Sequence, residues 1–349
     1  MDKIIFFTAL VVFPFGQLLK LGIFNLFDAL VLLLAVITFF KKPIYPEWYR
    51  YFIYFIISCV LGLILNYPLL TINSVLYLVR LVSYSLVAVY ISNYYKKTII
   101  NSYLLILSCT AAVLGWLQYL LYPDLTSLKY LGWDDHLLRM IGTFLDPTFL
   151  GLILVLGIII AIQYKYKKIV YFLLFSLAFT YSRSSYLVAS LFLLFKQKYI
   201  ALIFFVLVIL VLPKNIGEGT TLTRTVGGNS KLINYQETIE IVKQSPVFGV
   251  GFNNICSARQ KYLNDTNSTS HACNGADSSI LFMMATTGIV GTILFLSFVL
   301  QVTSSPILLS SFLIIILHSV FSNSLFYPHI MFWLFTLVGL QTKTDSQRS

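Results

Sequence analysis

Arg139, in the stretch LLRMIGTFLDPTFLG, and Arg183, in TYSRSSYL, border apolar runs, and Arg224 and Lys231 in the polar stretch further along bring the cations to four. A planar guanidinium grips phosphate through two parallel hydrogen bonds, and an ammonium adds a point charge. Were the four to converge beside a bilayer, they would hold a pyrophosphate at the headgroup level. Taken singly, arginines at the ends of apolar runs serve as interfacial anchors. Arg80, inside LYLVRLVSYSL, is costlier. A charge in hydrocarbon costs roughly 2.5–3.5 kcal/mol on insertion scales, so it demands a partner or a purpose. Pairing with Asp28 is one reading, and contact with an anionic ligand is the other. His318 and Asn323 lie near the end of the penultimate apolar run, where neutral polar groups bond a neighbouring helix.

Two further stretches carry proton-accepting groups and turn residues. SHACNGADSSILFMMATTGIVG sets His271 and Asp277 just ahead of an apolar run. Asp277, followed by two serines, reads equally as a helix N-cap and as a carboxylate free for chemistry. His271, in a polar loop, is by default solvated. QSPVFGVGFNN places two glycines around a valine after a proline, a tight turn closing the amphipathic stretch KLINYQETIEIV. Cys256 and Cys273 share one polar segment and form a plausible disulfide pair in an oxidising compartment, whereas Cys59 and Cys109 sit in apolar runs as packing residues.

The elements that must position these residues follow from composition. Of 349 residues 11% are charged and 58% hydrophobic, with mean hydropathy +0.85. Soluble domains carry about 25% charged residues, and apolar surface on this scale is solvated only by lipid. Disorder, a disulfide-stapled miniprotein and a soluble nucleic-acid binder are thereby excluded. Apolar runs near 4–19, 21–40, 51–67, 70–95, 98–122, 147–164, 168–182, 184–196, 199–212, 277–302, 305–322 and 327–341 predict an all-α polytopic integral membrane protein of about twelve transmembrane helices. Several are short enough to require tilting or snorkelling. The whole chain, 1–349, reads as one transmembrane domain.

Orientation follows from the short loops, which concentrate Lys and Arg on the cytoplasmic side. With both termini inside, Lys41, Lys42, Arg50, Lys96, Lys97, Lys165, Lys167, Lys168, Lys196 and Lys198 all fall inside. The net charge of +11 therefore reports topology and anionic inner-leaflet lipid, with no nucleic-acid partner. Two polar segments, about 123–146 and the large loop 213–275, fall outside, which puts the chemistry on the extracytoplasmic face. No inner loop is long enough for a nucleotide, and the sequence has no glycine-rich phosphate loop or metal-ligand cluster, so neither ATP nor a sugar nucleotide is expected as substrate and no cofactor is expected.

The ordered set SRSS, then KLINYQETIEIVKQSPVFGVGFNN, then DSSILFMMATTGIVG resembles the O-antigen ligase and polymerase superfamily of bacterial envelope glycosyltransferases over about residues 139–300. The resemblance implies a metal-independent, inverting glycosyltransferase of the GT-C type in the bacterial inner membrane. It implies a donor oligosaccharide on polyprenyl pyrophosphate and, as acceptor, a glycan or lipid core. It also implies pyrophosphate binding by Arg183 and by the region of Arg224 and Lys231, with Arg139 and Arg80 as further cations, and activation of the acceptor hydroxyl by a residue heading the helix of the Gly-x-x-Gly step. Two departures stand out. The family's loop arginine falls on Lys231, with Arg224 seven residues earlier, and the family's histidine falls on Asp277, with His271 six residues upstream. Either member of each pair fits the role. The competing class is a transporter or flippase of lipid-linked oligosaccharide, which would line a transmembrane path with cations.

Overall fold

The computed structural model describes residues 1–21, 24–214, 216, 218–222, 226–265, 267, 271–303 and 305–341. Its α-helices are α1 (Asp2–Val12), α2 (Leu26–Phe40), α3 (Glu47–Leu65), α4 (Ile72–Tyr94), α5 (Lys97–Leu121), α6 (Pro147–Gln163), α7 (Lys167–Ala178), α8 (Arg183–Phe195), α9 (Tyr199–Val211), α10 (Val226–Gln244), α11 (Ile255–Leu263), α12 (Ser279–Val302), α13 (Pro306–His318) and α14 (Pro328–Val338). Two antiparallel hairpins of two residues per strand complete it, pairing Lys20–Leu21 with Phe24–Asn25 and Asp124–Leu125 with His136–Leu137.

A helix falls on each of the twelve apolar runs, but most are shorter than the runs suggest. Among the described residues α3, α4, α5 and α12 are long and apolar enough to cross a bilayer, while α2, α6, α8, α9, α13 and the α14 region are apolar but run 10–17 residues. At 1.5 Å per residue such helices fall short of an about 30 Å hydrocarbon core. Local punctuation shortens them. Pro14 turns the first run into a 3-10 turn after Val12, Asp146 caps α6 by accepting from the Thr148 and Phe149 amides, and Ser305 caps α13 from Leu308. Outward-facing Leu32, Ile57, Leu120, Leu207, Ile293 and Leu313 are exposed, an apolar exterior suited to lipid.

The large loop carries α10 and α11. The turn after α10 docks into a break in α12, where Gly288 takes φ +63° and ψ −167° inside an otherwise helical run. The break frees backbone groups, and the SPVFGVG segment pairs with them. The Val250 and Gly251 amides donate to the Ala285 and Thr286 carbonyls at 2.8 and 3.1 Å. The Ile289 and Val290 amides donate to the Pro246 and Val247 carbonyls at 2.9 and 3.2 Å. Both glycines facing this junction are obligatory. A Cβ on Gly288 would stand 2.3 Å from the Val247 carbonyl oxygen, and one on Gly249, at φ +66°, would stand 2.3 Å from the Thr286 carbonyl carbon. Two motifs that look weak alone in sequence are thus halves of one joint. Asn66 of the α3 end braces it, donating to the Gly249 carbonyl at 2.9 Å. Cys256 and Cys273 are joined in a disulfide that ties α11 to the 3-10 turn His271–Asn274 just before Asp277.

Candidate functional site

One cavity of about 1060 Å³ opens among the starts of α6, α8 and α12, the side of α10, α4 and the turn after α13. Arg80, Arg139, Arg183, Lys231 and Asp277 all line it. Residues from five separate stretches of the chain therefore face one hollow.

Arg183 is the first residue of α8, exposed toward the cavity, and its Nη1 donates to the Leu222 carbonyl at 3.4 Å. Its place is set by the serines around it. Ser182 caps the helix by accepting from the Ser185 amide, and Ser184 and Ser185 each hold a hydroxyl 3.1 Å from His318 Nε2. His318 behaves as its position on the penultimate run predicts, bonding another helix. The SRSS stretch thus has a division of labour: the arginine reaches out while three serines anchor the backbone.

On α10, Lys231, Asn234 and Tyr235 fall on one face through their three- and four-residue spacing. Lys231 Nζ donates to the Phe321 carbonyl at 2.5 Å, and the Tyr235 hydroxyl donates to the Val320 carbonyl at 2.7 Å. Burial, with the Asp277 carboxylate adding to it, holds the Tyr235 phenol above its ordinary value. Buried Asn234 accepts from the Asp277 amide at 2.8 Å, so the helix carrying the lysine also pins the backbone of the acid. The structure corrects the capping reading of Asp277. Ser278 caps α12, accepting from the Leu281 amide, and the half-buried Asp277 side chain lies on the cavity wall.

Arg139 is 7% exposed and its nitrogens are engaged by protein, with Nε donating to the Thr180 carbonyl at 3.2 Å and Nη2 to the Tyr181 carbonyl at 3.4 Å. It joins the 123–146 segment to the turn ahead of Arg183. Arg80 pairs with Asp28 at 2.7 Å, and the Tyr84 hydroxyl donates to the other Asp28 oxygen at 2.7 Å. The arginine also lies over the Tyr77 ring, 4.5 Å from its centroid. Arg80 is thus Asp28-paired, as the first reading has it, and it also borders the cavity.

Arg224 lies outside the described residues. His271 opens the turn His271–Asn274, and its side chain lies outside what is described. Several wall residues had no prominence in the sequence: the carboxylates Asp134, Asp135 and Asp146 and the phenol Tyr235 line the cavity, as does Asn323, which the sequence had marked only as a helix-bonding group. Asp146 had a signal, since Asp-Pro before an apolar run is a helix start. Burial raises its carboxyl above the ordinary range, against the lowering effect of the capped amides.

Residues 137–296 match the family model described as O-antigen ligase. No curated protein and no solved structure matches the chain. The matched segment begins two residues before Arg139 and takes in Arg183, Lys231, the Pro246–Gly251 turn, Asp277 and the Gly288 break. Over that segment the chain is similar to the O-antigen ligase family, and the segment lies in a helical protein with several helices long and apolar enough to cross a membrane.

Proposed function

We propose that the protein is a GT-C-type, metal-independent, inverting glycosyltransferase that moves an oligosaccharide from polyprenyl pyrophosphate onto an acceptor sugar at the outer face of the bacterial inner membrane. The observation that carries this reading is the single cavity into which Arg183, Lys231 and Asp277 converge from three separate elements. Arg183 and Lys231 bind the pyrophosphate, Arg80 and Arg139 add positive potential at its margin, and Arg224 is a further candidate for the phosphate. Asp277, on the cavity wall, is the preferred base over His271.

The chemistry needs little more than charge neutralisation and one proton acceptor. The acceptor hydroxyl oxygen attacks the anomeric carbon as the bond from that carbon to the pyrophosphate oxygen breaks. The bonding pair leaves with polyprenyl diphosphate, whose growing charge the cations stabilise. The hydroxyl turns strongly acidic only as it bonds, so the Asp277 carboxylate takes its proton late, an effect worth about 10²–10⁴ in rate. Attack from the face opposite the leaving group inverts the anomeric centre.

The test incubates purified full-length protein with polyprenyl-pyrophosphate oligosaccharide and candidate acceptors in the presence of a chelator. Transfer is expected to persist. A ladder of products identifies a polymerase and a single addition a ligase. Absence of any product with every acceptor, or complete loss on chelation, would overturn the reading.

A further inference from the structure

His318 ends α13, fully buried and outside the wall of the cavity. Its Nε2 meets the Ser184 and Ser185 hydroxyls at 3.1 Å each, and its Nδ1 meets the Ser324 hydroxyl at 2.7 Å. Hydroxyls rotate to donate or to accept, so either ring tautomer is served. Burying an imidazole costs desolvation that hydrogen bonds at both nitrogens offset. The ring thereby joins the first turn of α8, which opens at Arg183, to the turn that follows α13.

That turn also holds the other two elements of the site. Lys231 Nζ and the Tyr235 hydroxyl donate to the Phe321 and Val320 carbonyls. The Ser279 amide donates to the Ser319 carbonyl at 2.9 Å, and the Leu325 amide donates to the Ser279 hydroxyl at 3.0 Å. Ser278 adds a bond from its hydroxyl to the Ser319 carbonyl at 3.0 Å. Seven residues, Ser319 to Leu325, thus touch the segment of the lysine and the segment of the acid, and the His318 ring links them to the segment of the arginine.

We propose that His318 is a positioning residue of the transferase site, setting Arg183 in register with Lys231 and with the start of the Asp277 helix. The inference rests on the transferase reading above. The imidazole acts through Ser184 and Ser185 on a helix terminus whose first residue is the proposed phosphate ligand. Sub-ångström looseness there is costly, since a shift near 1 Å is enough to lower rates by about 10²-fold.

The experiment measures kcat and donor KM for the unsubstituted full-length protein and for His318→Gln, His318→Asn and His318→Phe. Glutamine places an amide near the Nε2 position and keeps the link to Ser184 and Ser185. Asparagine reaches the Nδ1 position and keeps the link to Ser324, while phenylalanine keeps neither. Asn and Phe are expected to raise donor KM about tenfold and to lower kcat, with Gln within about threefold of the unsubstituted protein. A smaller folded fraction alone lowers apparent kcat and leaves KM unchanged, so unchanged KM in all three variants overturns the proposal. Gln and Phe behaving alike, with the unsubstituted protein active, also overturns it and leaves the transferase reading standing. An unsubstituted protein without transfer activity overturns both.

Discussion

The Ile289 amide donates to the Pro246 carbonyl at 2.9 Å, closing the gap that Gly288 leaves in α12 with a turn from the far end of α10. The loop helix and the membrane helix are therefore one unit, and the cavity wall between Lys231 and Asp277 depends on the joint. Gly288→Ala forces a side chain into positive φ and against the Val247 carbonyl. It is expected to destabilise the protein by about 1–3 kcal/mol or more and to abolish transfer. Thermal unfolding in detergent and glycan transfer read the two effects, and an unaltered unfolding midpoint would contradict the joint.

Arg80 and Asp28 form a partly buried pair, with side chains 23% and 19% exposed. Removing one partner strands the other charge, so Arg80→Met or Asp28→Leu alone is expected to cost about 3 kcal/mol. The double variant should recover part of that stability, the remainder being the cost of the buried Tyr84 hydroxyl that loses its acceptor. Donor KM should nevertheless stay raised, because the Arg80 charge is gone from the cavity. A double variant with an ordinary KM would reduce Arg80 to a structural role.

Arg183→Ala should reduce glycan transfer by at least about 10²-fold while the protein still inserts and forms the Cys256–Cys273 disulfide. In cells, lipid-linked donor should then accumulate on the outer face. Accumulation on the inner face would point to a flippase.

Asp277→Asn removes the proposed proton acceptor and leaves the backbone contact to Asn234 intact. A loss of about 10²–10⁴ in kcat with little change in donor KM is expected, and His271→Ala should retain most of the rate. The reverse pattern would move the base to His271. Unchanged surface glycan in both single variants and in the double would leave the site without a base.

Asp265 gives the large loop an acid-sensitive tether. The Asn267 amide and the Arg259 side chain, at 3.0 and 2.9 Å, hold its carboxyl below the ordinary range, and buried Arg259 also meets Glu237 at 2.9 Å. A carboxylate lowered on folding contributes stability that is present above its unfolded value, about 3.9, and is lost as pH falls through its lower folded value. The protection of α11 amides from hydrogen exchange, relative to the intrinsic rate at each pH, should therefore fall below about pH 4 in the unsubstituted protein. In Asp265→Asn exchange should be faster at neutral pH and should respond less to acid. An identical pH response in both proteins would remove the tether.

Amino-acid order alone determined the class of this protein and where its helices fall, because hydropathy and charge are local properties that a bilayer reads segment by segment. The same local reading picked out Arg183 and Asp277, each at a polar-to-apolar boundary where a helix must begin, and Lys231, a cation in the polar loop between them. Only the tertiary structure decided how far each helix runs and that Ser278, rather than Asp277, caps α12. It alone paired the Pro246–Gly251 turn with the Gly288 break and put the Arg183 helix in contact with His318. Those outcomes depend on which orphaned backbone group or buried nitrogen finds its partner from a distant part of the chain, and periodicity carries no record of such pairings.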